Sequence, residues 1–161
     1  MGVNKHQPHI LVLPEDDANH QLATGFCLGL DSSLIRRIQV LPVAGGWTQV
    51  LERFQSDHVA DMERYPDRFM VLLIDFDRDE GRLALAKSRI PGSLTERVFV
   101  LGALSEPEEL KRAGLGTYEE IGSAMARDCR EDTDTTWNHD LLRCNVNEVA
   151  RLRESVHSIL F

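Results

Sequence analysis

The sequence predicts an α/β fold, a Rossmann-like parallel sheet of about four strands flanked by helices, and three observations predict it. Four short apolar runs recur along the chain: His9 to Leu13, Ile38 to Val43, Phe69 to Ile74 and Val98 to Gly102. Runs of this length with little internal polarity suit strands buried on both faces. Between them lie segments whose apolar residues repeat at helical spacing. The alternation β-α-β-α-β-α-β implies parallel strands joined by right-handed crossovers. The first and third runs also end abruptly in acid, at Glu15-Asp16-Asp17 and Asp75-Phe76-Asp77, where open α/β sheets carry their ligands.

After the first strand, Leu22, Ala23, Phe26 and Leu30 mark a helix from about Asp17, with Asp17 as its expected N-cap. Glu15 stands at the strand end and needs another explanation. The second strand contains Pro42, which suits a strand end or an edge. Ala44-Gly45-Gly46 then turns into a helix carrying Trp47, Val50, Leu51 and Phe54. The backbone N–H groups of a glycine pair there can face phosphate, although a simple turn explains the pair as well. Tyr65-Pro66-Asp67 breaks the chain before the third strand. A helix of about Arg82 to Ile90 follows the acidic segment, and Pro91-Gly92-Ser93 leads to the fourth strand.

The last third turns helical. Ser105 reads as an N-cap, with Pro107 in the first turn and Glu108 and Glu109 against the dipole. Thr117 and Glu120 have capping-box spacing and open a helix to about Cys129. Arg130 to Thr136 is a polar loop, Trp137 to Leu142 a short helix or turn. From Asn147 to Leu160, Val149, Leu152, Val156 and Leu160 share one helical face. The whole, residues 1–161, reads as one domain: an α/β core over about 9–102 and a helical C-terminal extension over about 103–161 packed on it.

Composition narrows the function classes. The chain is 161 residues long, 42% hydrophobic and 27% charged, with a net charge of −8. That charge argues against a large basic patch, although Arg78, Arg82, Lys87 and Arg89 form a local basic strip near the third strand's acidic end. Solvated surface explains most of these cations. No apolar run is long enough to span a membrane, and Met1 to His9 lacks a signal-peptide core. Cys27, Cys129 and Cys144 share no metal-ligand spacing and suit free thiols in a reducing compartment, so a cytoplasmic location is expected. His139 has no metal partner at sensible spacing.

The strongest chemical signal is Asp75-x-Asp77. Strand alternation would point both carboxylates the same way, side by side at the sheet's C-terminal edge. Like charges so placed need a shared proton or a cation, and oxygen donors suit Mg²⁺ or Mn²⁺. Helix capping by Asp77 or Asp79 is the plainer explanation.

Taken together, Glu15 after the first strand, Gly45-Gly46 after the second and Asp75-x-Asp77 after the third resemble a Toprim domain. Val43-Ala44-Gly45-Gly46 and Val71-Leu72-Leu73-Ile74-Asp75-Phe76-Asp77 are most similar to the compact Toprim domains of OLD-like nucleases. The resemblance covers residues 9 to about 102. It implies Mg²⁺ or Mn²⁺ on Asp75 and Asp77, with Glu15 as general acid/base or a further ligand. Asp16 and Asp79 are additional acidic candidates, and Gly45 and Gly46 a phosphate-binding turn. It implies phosphoryl transfer, chiefly hydrolysis of phosphodiester bonds in DNA or RNA. The sequence departs from the family in having Asp16 where glycine is usual and Asn19 where OLD-like members often carry aspartate. The acid expected after the fourth strand has three candidates, Glu106, Glu108 and Glu109.

Two other readings share these residues. There is no G-x-x-x-x-G-K-[ST] motif, and OLD-like nucleases usually couple Toprim to an ATPase, so the chain could be a non-catalytic or partner-dependent subunit beside a separate ATPase. The acidic end of the first strand also resembles a response-regulator receiver, with Asp75 as phosphoacceptor. The long gap from Glu15 to Asp75 and the absence of a fifth strand ending in Lys-Pro tell against it.

Overall fold

The computed structural model describes residues 2–161. Four parallel strands, β1 (His9–Pro14), β2 (Ile38–Val40), β3 (Arg68–Leu73) and β4 (Val98–Leu101), form one sheet in the order β2-β1-β3-β4. The register sets Ile10 beside Ile38 and Phe69, and Leu72 beside Val100. β2 is shorter than its apolar run. Leu41 N–H still donates to the Val12 carbonyl at 2.8 Å, but Pro42 has no N–H to continue the ladder.

Side-chain alternation divides the core into two layers. Ile10, Val12, Val71, Phe99 and Leu101 face one way, toward Leu22 and Ala23 of α1 (Asp17–Leu28), Ile121 and Met125 of α6 (Tyr118–Glu131) and Val149, Leu152 and Val156 of α7 (Val146–Leu160). Leu11, Leu13, Met70, Leu72, Val98 and Val100 face the other way. They meet Val50 and Leu51 of α2 (Trp47–Arg53), Met62 of α3 (Val59–Arg64) and Ala86 of α4 (Glu80–Ser88). A π turn, Phe54–His58, joins α2 to α3. The C-terminal third therefore supplies more than half of the buried residues of one layer of the core.

Several helix ends differ from expectation for local reasons. Asp16, not Asp17, caps α1, its Oδ1 accepting the Asn19 N–H at 3.0 Å. Helix α4 starts earlier than Arg82 because Asp79 accepts the Gly81 N–H at 2.9 Å, and it stops at Ser88, short of Ile90-Pro91, where the residue before proline resists helical backbone. At α5 (Pro107–Arg112), Glu106 rather than Ser105 holds the cap position, and Pro107 sits at the first turn. The Thr117–Glu120 capping box of α6 is formed, with both reciprocal bonds in place. Past α6, buried Asp128 gathers the polar loop, accepting Thr133 Oγ1 at 2.7 Å and the N–H groups of Thr135, Thr136 and Trp137.

Two devices lock the extension to the sheet. α1 and α6 cross backbone against backbone: a Cβ on Gly25 would overlap the Glu119 carbonyl, and one on Gly122 the Leu22 carbonyl. At the open edge of β4, α7 and the turn before it do the work of a neighbouring strand. Glu148 accepts the Val100 N–H at 3.0 Å, and Asn145 both accepts the Gly102 N–H at 3.0 Å and donates to the Gly102 carbonyl at 2.8 Å. The edge is thereby hidden from further strand pairing. Glu148 is buried, which alone would raise its carboxyl; bonds from Lys87, Val100 and Arg151 outweigh that and hold it below its ordinary value. Among the described residues no helix is long and apolar enough to cross a membrane. The three cysteines are free thiols, and burial raises all three, Cys27 to about 11.

Candidate functional site

The strand order reverses between β1 and β3: the chain leaves β1 for β2 on one side and returns to β3 on the other. In open α/β sheets the crevice at such a switch point is where ligands bind. Glu15 follows β1 and Asp75 follows β3 by two residues, so both stand at the mouth of this crevice.

The two are in direct contact. Asp75 N–H donates to Glu15 Oε2 at 2.7 Å, and the Trp47 N–H at the start of α2 acts on the same carboxylate. Glu15 thus ties together the ends of β1 and β3 and the entry to α2. Burial raises its carboxyl above the ordinary range, with a further push from Asp16, against these two N–H groups and the charge of Arg82. Asp75 is raised further, to about 7, by burial first and then by the charges of Glu15, Asp16 and Glu108. Asn19 opposes this rise, donating Nδ2 to Asp75 Oδ1 at 2.9 Å. The same Nδ2 reaches Asp16 Oδ1 at 3.1 Å, so one amide links the two acids. Asn19 is 0% exposed, and its Oδ1 has no hydrogen-bond partner among the described residues.

Asp77 does not stand beside Asp75 as strand alternation would have it. β3 ends at Leu73, and Asp77 and Arg78 adopt left-handed backbone with φ of 50° and 53°. Ladder-like bonds from Ile74 to Leu101 and from Phe76 to Ala103 carry the pleat past Asp75, and it breaks at Asp77, whose side chain is 79% exposed. Arg82 closes this loop: Nη1 donates to the Asp75 carbonyl at 2.7 Å and Nη2 lies 3.8 Å from Asp77 Oδ2. Its guanidinium carbon also lies over the Trp47 ring, 4.6 Å from the centroid.

The remaining predicted residues have structural duties. Asp16 and Asp79 are helix caps. Gly45 takes a φ of 100°, which glycine alone adopts without strain, and its N–H donates to the Glu15 carbonyl at 2.8 Å. That donor is spent within the fold rather than offered to a phosphate. Gly46 is the N-cap of α2 in extended backbone, with no side-chain cap. Of the three acids after β4, Glu106 lies 3.7 Å from Arg112 and Glu109 binds Arg78 at 2.9 Å, while the charge of Glu108 acts on Asp75. Asn19, Trp47 and Arg82 complete the site. Asn19 showed in sequence only as a departure from a family pattern, and Arg82 only as one cation of a strip.

Among the described residues no three His, Cys, Asp or Glu side chains gather closely enough to form a ready metal-ligating group. The donors at the crevice are nonetheless hard oxygens, and Mg²⁺ is held through one or two carboxylates with water completing its shell. Glu15 and Asp75, with the unpartnered amide oxygen of Asn19 nearby, fit that chemistry. No family model, curated protein or solved structure matches this chain.

Proposed function

We propose that this chain is a Toprim-type phosphoryl-transfer protein that uses Mg²⁺ or Mn²⁺ to hydrolyse phosphodiester bonds in nucleic acid. One observation carries the reading: two half-buried acids at the switch point of a parallel sheet, the Asp75 N–H bonded to the Glu15 carboxylate and the Asp75 carboxyl raised to about 7. Keeping acids where burial and mutual repulsion penalise them costs stability, and such sites serve binding or chemistry. Asp75 and Glu15 would hold the cation, while Asp77 stands exposed on the loop beside Arg82. When bound, the metal would neutralise phosphate charge and polarise the reacting oxygens. Glu15, anchored by the N–H groups of Asp75 and Trp47, keeps its orientation while it exchanges a proton with water or a leaving oxygen. A cation beside Asp75 would also return that carboxyl to its ionised form.

The partner is then DNA or RNA. A net charge of −8 makes a separate nucleic-acid-binding or ATPase subunit a natural companion. The receiver reading keeps the same acidic pocket, but the flank of β4 where a fifth strand would pair is occupied by Asn145 and Glu148.

The test is cleavage of labelled single- and double-stranded DNA and RNA with Mg²⁺ or Mn²⁺, wild type beside Asp75→Ala and Glu15→Ala. Metal-dependent cutting lost in both variants supports the proposal. A folded wild type that binds Mn²⁺ but cuts nothing points to a missing subunit. Acyl phosphate formed on Asp75 by acetyl phosphate would replace the proposal with the receiver reading.

A further inference from the structure

We propose that Arg82 is the phosphate-binding residue of this site and that Asp77 holds it in reserve. The inference rests on the phosphodiester reading above and names the group that recognises the substrate. A site lined by Glu15, Asp16, Asp75 and Asp77 repels a phosphate unless a fixed cation stands among them. Arg82 is that cation. Its side chain is only 14% exposed, and its charge reaches Glu15.

Its geometry is that of a held donor. The guanidinium carbon lies over the Trp47 ring, 4.6 Å from its centroid, and the bond from Nη1 to the Asp75 carbonyl holds it there. Nε is buried without a partner, so the group is not saturated by the fold. Among the described residues Nη2 has an ion pair with Asp77 alone, at 3.8 Å, beyond hydrogen-bond distance and with the carboxylate 79% exposed. An ion pair so open to water is weak. A phosphate oxygen offers Nη2 a charge-assisted hydrogen bond instead, the pairing for which a planar guanidinium is suited. Two other cations of the strip are committed, Arg78 to Glu109 at 2.9 Å and Lys87 to buried Glu148 at 2.8 Å. The left-handed backbone at Asp77 and Arg78 turns the Asp77 carboxylate back toward Arg82.

The experiment is a double-mutant cycle read by fluorescence anisotropy of a labelled single-stranded DNA oligonucleotide, with Ca²⁺ in place of Mg²⁺ to block turnover. The full chain is used as wild type, Asp77→Asn, Arg82→Gln, the double variant and Arg82→Lys, each checked for fold by circular dichroism. Arg82→Gln is expected to weaken binding about tenfold or more, and Arg82→Lys to restore part of it. Asp77→Asn is expected to tighten binding severalfold, and that gain should vanish in the Arg82→Gln background. Equal tightening in both backgrounds, or wild-type affinity in folded Arg82→Gln, overturns the inference and leaves the phosphodiester reading standing. If Arg82→Gln does not fold, the comparison passes to Arg82→Lys: an Asp77→Asn gain as large there as in wild type overturns the inference. A wild type that binds neither the oligonucleotide nor inorganic phosphate overturns inference and reading together. Where cleavage is measurable, the loss in Arg82→Lys should appear in KM more than in kcat.

Discussion

Replacing Asp75 by asparagine should make the protein more stable at neutral pH while removing its chemistry. The carboxyl is raised from 3.8 to about 7 by burial and by Glu15, Asp16 and Glu108. A folded-state value above the unfolded one means the native state is favoured fully only below about pH 4, and that stability is lost as pH rises through about 7. A shift of about three units corresponds to about 4 kcal/mol at 1.36 kcal/mol per unit. Asp75 is only partly buried, so solvent screening reduces this to about 2 kcal/mol. Asparagine keeps an oxygen to accept the bond from Asn19 Nδ2 and carries no charge to desolvate. For a chain of this size about 2 kcal/mol is a rise of about 4–8 °C in Tm. The assay is thermal unfolding of wild type and Asp75→Asn without divalent cations, from about pH 4 to about pH 8. The gap should open across that interval. A variant less stable than wild type at about pH 8, or a gap that does not change with pH, would refute the account of Asp75 as a strained acid.

Glu15→Ala should destabilise the fold by about 2 kcal/mol more than Glu15→Gln, because alanine leaves the N–H groups of Asp75 and Trp47 without an acceptor; urea midpoints of the two variants compare them. His9 accepts from Arg68 Nε at 2.9 Å and bonds the Gln7 carbonyl through Nδ1 at 2.6 Å, so it is held neutral, and burial followed by the Arg68 charge lowers its pKa. Its contribution is present above about pH 6.5 and is lost as pH falls through the lowered folded value, so His9→Gln should flatten the acid limb of the urea midpoint against pH. Asn145→Ala should cost about 2 kcal/mol in urea unfolding, since it orphans the Gly102 N–H and leaves its carbonyl only the weak Cys144 thiol donor, and Gly102 should lose hydrogen-exchange protection before the centre of β3 does.

The sequence by itself determined the sheet and much of its order of elements. Buried strands need continuous apolar runs, and helices between them need a 3.6-residue stripe, so Ile10 to Leu13 and Leu22 to Phe26 could be read without coordinates. It also showed that Glu15 and Asp75 end two of these strands, and the Thr117–Glu120 box, because caps act within one turn of their own residue. What lay beyond it was every decision made across the chain. The contact of Glu15 with Asp75 spans 60 positions. Asn19 joins Asp75 across 56, and Asn145 and Glu148 close the edge of β4 from more than forty residues away. The rise of the Asp75 carboxyl comes from burial and from the charges of Glu15, Asp16 and Glu108, none of which its own short motif contains. The place of Asp77 lay beyond the sequence too, because alternation holds only while the backbone stays extended. The Ile74 and Phe76 N–H groups still bond the Leu101 and Ala103 carbonyls, and left-handed backbone at Asp77 then leaves the second acid exposed to solvent beside Arg82.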